Sequence, residues 1–343
     1  MNSGVAGRIL VPGGYGAVGE EVTATLERWF PGRVVPGGRS AERARRHGGV
    51  QVDVTDPRGF ERVLDHLGDV AVVVLCVEPP DASVARICLE RGIHLVDVGA
   101  DADLLAAVEG LRETAVHTRA AAVLSVGVAP GLTNLLARRA HEEVGGAERI
   151  DVTVLLGSGE RHGADAVRWT VAHLAAPTAG RRLRTSLPGF GRRTAHPFPF
   201  SDQHASARTL GVPRVTTRLC LDSRLLTALL FGARATGLLR LAARPGPGRL
   251  LTSLFGRVHP GGDAFAVRVD AHRGGRRVGY AVRGHRQSRF TALVAAHTAR
   301  HLLHAPWPLG VVHLDEIAEL SDLPDRLASA GLTLHRLVDG ASR

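Results

Sequence analysis

From Arg8 to Val126 the chain alternates short β-branched runs with amphipathic stretches whose apolar residues recur every three or four positions. Parallel strands joined by helical crossovers satisfy this rhythm, because each strand must be covered on both faces and each helix must return the chain to the same end of the sheet. The runs predict strands at Ile9–Val11, Val34–Val35, Gln51–Val54, Val70–Val77, His94–Val98 and Ala122–Val126. Between them the spacing predicts helices at Gly16–Trp29, Ala41–His47, Pro57–Leu67, Ala82–Arg91 and Ala102–Arg119. The expected fold class is therefore α/β, a doubly wound parallel Rossmann sheet, followed by a second α+β domain. With 343 residues there is chain enough for both. The expected division is 1–127 for the Rossmann domain, 128–305 for the second, and 306–343 as a terminal segment packing back on the first.

Gly14-Tyr15-Gly16-Ala17-Val18-Gly19 falls between the first strand and the first helix. There Gly14 permits a tight turn, Gly16 lets the backbone approach a pyrophosphate, and Gly19 allows close helix packing, while the helix N-terminus attracts phosphate. An NAD site places an acidic residue at the end of the second strand to hold the ribose hydroxyls, but this chain has Gly38-Arg39-Ser40. Arg39 and the Ser40 hydroxyl suit a 2′-phosphate, so the expected cofactor is NADP(H); Arg39 could equally face solvent and Ser40 cap the next helix. Asp53, closing the third strand, suits either an adenine contact or a capping turn with Thr55 and Asp56. Cys76-Val77-Glu78-Pro79-Pro80 reads as a stiff extended loop lining the cofactor cleft. Cys76 and Cys88 themselves read as buried apolar residues rather than nucleophiles.

Composition removes several alternatives. All 43 basic residues are arginine, so a net charge of +10 comes with no lysine base or Schiff-base former, and with only Tyr15 and Tyr280 no Tyr-x-x-x-Lys dyad can form. The arginines are spread among acids rather than gathered with aromatics, which argues against nucleic acid as a partner. No apolar run is long enough for a bilayer span, the N-terminus has no signal core, and three cysteines lack paired spacing, so a cytoplasmic protein is expected. No metal-ligand cluster stands out.

Four segments together resemble the saccharopine dehydrogenase (NADP-binding) family. They are Gly13–Gly19, Gly38-Arg39-Ser40, Gly92-Ile93-His94-Leu95-Val96-Asp97-Val98, and Gly127-Val128-Ala129-Pro130-Gly131-Leu132-Thr133-Asn134. The resemblance implies a Rossmann domain followed by an α/β domain carrying substrate and dimer contacts. It also makes Asp97 a candidate active-site residue, with a loop-capping aspartate as the other reading. Saccharopine reductases carry Asp-Pro-Gly followed by Ile-Asp-His where this chain has Ala129-Pro130-Gly131-Leu132-Thr133-Asn134, which argues against saccharopine as substrate and towards another small metabolite, such as one of secondary metabolism.

The second half says less. Pro130 is expected at the first position of a helix Leu132–Glu143, followed by a strand Ile150–Leu156. The polar loop Gly157–Gly163 places His162 as a proton donor. Trp169 and His173, four apart, share a helix face; core packing accounts for that spacing, and His173 is kept as a further catalytic candidate. Arg181–Pro213, rich in arginine and proline, reads as a solvated loop or as a mobile lid, Asp222–Ala243 as a long apolar helix suited to a homodimer contact, and the segments around Gly274-Gly275 as a hairpin. The whole reads as an NADPH-dependent oxidoreductase reducing a C=N or C=O bond of a small molecule, the alternative being a silent NADP-binding sensor.

Overall fold

The computed structural model describes residues 6–160, 173–174, 180–237, 261–304 and 309–338. The chain forms two compact units, one of Met1–Leu132 with Ser288–Leu320 and one of Thr133–Gln287 with Ser321–Arg343. The helix Gln287–His304, expected in the second domain, therefore belongs almost wholly to the first unit.

In the first unit β1 (Arg8–Pro12), β2 (Val34–Gly38), β3 (Val50–Gln51), β4 (Val70–Leu75), β5 (His94–Asp97), β6 (Ala121–Leu124) and β13 (Gly310–His313) make one sheet in the order β13-β6-β5-β4-β1-β2-β3. Every pairing is parallel. β4 is buried along its whole length, the pattern of a strand covered on both faces. The order reverses between β1 and β4, and crevices for ligands open at the carboxyl ends of strands flanking such a point. Sequence periodicity foresaw the helices α1 (Ala17–Trp29), α2 (Ala41–Arg46), α3 (Pro57–Leu67) and α4 (Ser83–Glu90). It missed that the next stretch breaks at Gly110 into α5 (Ala102–Glu109) and α6 (Arg112–His117).

The second unit is built on β7 (Arg149–Leu156), β8 (Leu183–Leu187), β9 (Gly191–Pro197), β10 (Val215–Leu221), β11 (Ala264–Arg273), β12 (Arg276–His285) and β14 (Thr333–Val338). Their order is β14-β12-β11-β7-β10-β9-β8, with β7 and β10 parallel and the other pairs antiparallel. Gly274 (φ 50°) and Gly275 (φ 80°) turn β11 into β12, since both central positions of this tight hairpin need positive φ. α7 (Thr133–Val144) packs on β11 and β12. The expected lid is instead the β8–β9 hairpin followed by a helix at Asp202–Thr209. The expected tail divides, β13 joining the first sheet and β14 the second. Pro130 is not a helix start: its ψ of 161° is extended and α7 begins three residues later. A helix at Arg224–Ala235 leaves Leu225 and Leu229 exposed.

Candidate active site

The glycine loop leaves β1 at the point where strand order reverses. Gly14 donates its N–H to the carbonyls of Val11 and Gly37, both at 3.0 Å, and Gly16 donates to Gly13 at 2.9 Å. A Cβ on Gly19 would lie 2.1 Å from the Gly13 carbonyl oxygen, so only glycine lets α1 come this close to the strand. A Cβ on Gly16 would meet nothing but that same oxygen, at 3.3 Å. Gly16 caps α1 with no side chain of its own, and Gly16 and Ala17 are exposed while Val18 is half-buried. The first N–H groups of a helix have no partner within it, so this open end fits a pyrophosphate.

Tyr15 turns towards β2 rather than outwards. Its hydroxyl donates to the Pro36 carbonyl at 3.0 Å, its ring lies 5.2 Å from that of His47, and a Cβ on Gly38 would come within 2.8 Å of it. Burial raises its pKa. Arg39 and Ser40 follow, both exposed, and no carboxylate occupies the end of β2. Ser40 caps α2, its hydroxyl accepting from the Arg43 N–H at 3.3 Å; the capping role weighed from sequence is thus in place. Asp53 accepts from the N–H and hydroxyl of Thr55 at 2.9 and 2.8 Å, and these bonds, with a smaller contribution from the Arg39 charge, lower its pKa. An open groove of about 540 Å³ between β3 and α3, lined by Gln51, Asp53, Asp56 and Arg62 among others, contains no residue of the glycine loop.

Cys76 directly follows β4, and its N–H donates to Pro12 at 2.9 Å. Burial, and then the charge of Asp97, push its thiol up to about 12, so it is no thiolate nucleophile at neutral pH. Cys88, fully buried in α4, is likewise raised to about 12 by burial. Val77 packs on the core of the parallel sheet, and Glu78 is exposed.

Asp97 ends β5, where Leu75 of β4 is its register partner. The residue is 1% exposed, and burial drives its carboxyl up to about 6 although the Gly99 N–H donates to it at 2.7 Å. An acid with this pKa exchanges its proton near neutrality, which suits general acid–base work. His94, at the other end of β5, is structural: its Nδ1 accepts from the Ala121 N–H at 3.0 Å, and burial lowers it to about 4.

His162 lies outside the described residues. His173, in the second unit, is half-buried, with its ring 6.5 Å from Phe198, which itself packs against Phe200. Two buried polar groups went unforeseen. One is Asp202 in the second unit, raised to about 6 by burial although Thr217 donates to it at 2.7 Å. The other is a chain from Glu109 through His313 to Ser125 in the first. Neither has a local sequence signal. Among the described residues no group of three or more His, Cys, Asp or Glu side chains could hold a metal, and no helix is long and apolar enough to cross a membrane.

No family model matches the chain, and no curated protein does. Among solved structures it is similar to a diaminopimelate (DAP) dehydrogenase of C. glutamicum in complex with DAP, at 16% identity over 96% of this chain and 99% of that one, with a TM-score of 0.49. An engineered D-amino acid dehydrogenase bound to NADP+ gives 18% identity, 94% and 98% coverage, and a TM-score of 0.49. The WlbA dehydrogenase of Thermus thermophilus in complex with NAD and alpha-ketoglutarate gives 15% identity over 63% of this chain and 73% of that one, with a TM-score of 0.33.

Proposed function

We propose that this chain is an NADP(H)-dependent oxidoreductase acting on a C=N or C=O bond of a small metabolite. The observation that carries the reading is the glycine loop opening α1 at the β1–β4 reversal, with Arg39 rather than a carboxylate at the end of β2. An open helix N-terminus binds the pyrophosphate, and the Arg39 guanidinium pairs with a 2′-phosphate that a carboxylate there would repel. A reduced nicotinamide, when bound, supplies the hydride. Reduction then needs one proton at nitrogen or oxygen, and Asp97, buried at the carboxyl edge with a pKa of about 6, donates it as the carboxylic acid and is left as carboxylate. A polarised imine suits a site without lysine, because it asks for less electrophilic help than a ketone. The resemblance of four segments to the saccharopine dehydrogenase family supports a reductase of this kind, and Ala129–Asn134 points away from saccharopine.

Arg39→Ala is the test. Loss of a charge-assisted phosphate contact weakens NADPH binding about 10- to 100-fold in a fluorescence titration and leaves NADH binding nearly unchanged. Equal loss for both cofactors rejects the assignment. Cofactor binding without turnover across a panel of imines and ketones leaves the silent sensor instead.

A further inference from the structure

The first unit holds a buried hydrogen-bonded chain that the proposed chemistry does not use. Ser125 follows β6 directly, and His313 ends β13, where it pairs with Leu124. The Ser125 hydroxyl lies 2.8 Å from His313 Nδ1, and His313 Nε2 lies 2.7 Å from Glu109 Oε1 at the end of α5. The backbone N–H of His313 donates to Glu316 at 2.8 Å, so the residue is held at both ring nitrogens and at its amide. An ionised Glu109 only accepts, which places a proton on Nε2. In that tautomer Nδ1 is an acceptor, and Ser125 donates to it.

Serine, histidine and carboxylate in this order are the parts of an acyl-transfer triad. Ser125 is fully buried, so its hydroxyl does not face solvent as an exposed acyl acceptor would. What distinguishes Ser125 is its backbone. Its φ of 57° is left-handed, a conformation strained for a residue other than glycine, which persists only where the surroundings impose it. The side-chain partner of Ser125 is His313, whose ring Glu109 holds from the other side.

The location gives the turn its consequence. Val96 pairs with Val123, so Asp97 and Ser125 leave adjacent strands together at the carboxyl edge of the sheet. Beyond Ser125 the segment Val126–Leu132 is buried apart from Ala129, and a Cβ on Gly131 would stand 3.1 Å from the Ser125 carbonyl oxygen. A change of φ at Ser125 would redirect that whole segment beside Asp97.

We propose that His313, braced by Glu109, is a positioning residue for hydride transfer: it holds Ser125 in its left-handed turn and so sets the edge of the site next to Asp97. The proposal rests on the oxidoreductase reading above. Positioning errors remote from the reacting atoms lower turnover by up to about 100-fold, so His313→Leu should reduce kcat to that degree while the Kd for NADPH, set at the β1–β2 end, stays constant.

Glycine adopts positive φ without strain, so adding Ser125→Gly to His313→Leu should recover most of the lost kcat. A double variant no better than His313→Leu overturns the proposal, since the serine hydroxyl rather than the turn would then be what matters. It is equally overturned by an unchanged kcat in His313→Leu, or by a parallel loss of NADPH affinity. Should His313→Leu not fold, Glu109→Leu removes the outer brace at a partly exposed position, and Ser125→Gly must relieve that loss as well. Wild-type protein that binds NADPH but reduces no imine or ketone removes the oxidoreductase reading, and this proposal with it. Wild-type turnover leaves the reading standing and lets the variants decide the proposal alone.

Discussion

In the parallel sheet, ionisable side chains occur only at strand ends: Arg8 and His94 where β1 and β5 begin, Asp97 and His313 where β5 and β13 finish. In the mixed sheet they stand in mid-strand. Arg218 of β10 reaches Asp151 of β7 at 2.7 Å, and Arg268 of β11 grips Asp270 two residues on with bonds of 2.7 and 2.8 Å. All four are at most 8% exposed. The parallel strands are buried on both faces and offer a mid-strand charge no partner, so charge is confined to the strand ends. The mixed sheet accepts charge in its middle because each buried arginine has a carboxylate within reach, Asp151 on the neighbouring strand for Arg218 and Asp270 two residues along the same strand for Arg268. The lesson is about pairing. A buried carboxylate held by a guanidinium belongs to the fold, whereas Asp97, held only by a backbone N–H, is left for chemistry.

The pairing account breaks most readily at Asp270. Asp270→Ala leaves the Arg268 guanidinium buried without its carboxylate and should destabilise the second unit by about 3–5 kcal/mol in urea denaturation. A loss under about 1 kcal/mol would mean that water already screens the pair.

Asp97 should show the opposite sign. Its carboxyl is raised from 3.8 to about 6, so the fold favours the protonated form. That advantage is complete below about pH 4 and is lost as pH rises through 6, which at pH 8 leaves a buried charge costing about 3 kcal/mol. Asp97→Asn should therefore be more stable than wild type by up to about 3 kcal/mol at pH 8, with the gain gone by pH 4, while kcat falls by about 10²- to 10⁴-fold. Thermal melts at the two pH values check the first part and steady-state rates the second. A destabilised variant at pH 8 would show that the carboxylate is paired after all.

The smallest effect belongs to Ser40, the edge residue that the fold already uses. Ser40→Ala removes the α2 cap and should cost about 1 kcal/mol of stability, read by the same melts. No measurable change would free the hydroxyl for phosphate and move Ser40 to the Asp97 side of the comparison.

Most of the first unit could be read from local pattern, because each crossover helix and each strand carries its own apolar period, and the glycine loop lies within six consecutive residues. Cys88 and the Ser40 cap were legible for the same reason. Asp97 was visible as a residue, whereas its raised pKa comes from burial that no neighbour in sequence announces. The Glu109–His313–Ser125 chain joins positions 204 and 188 residues apart, and β13 reads as an unremarkable tail until β6 is found beside it. In the second unit the stretch Arg181–Pro213 suggested a lid, yet its Arg193 donates to the Asp222 carbonyl of folded backbone: composition records charge, and only pairing shows whether charge is spent on structure.

The late arrival of β13 has a consequence for synthesis. A ribosome making about 5–20 residues per second needs roughly 10–40 s to go from Ser125 to His313, and throughout that time β6 of the emerging sheet has an apolar edge with no strand beside it. The nascent chain must stay unaggregated with that edge uncovered until β13 closes it.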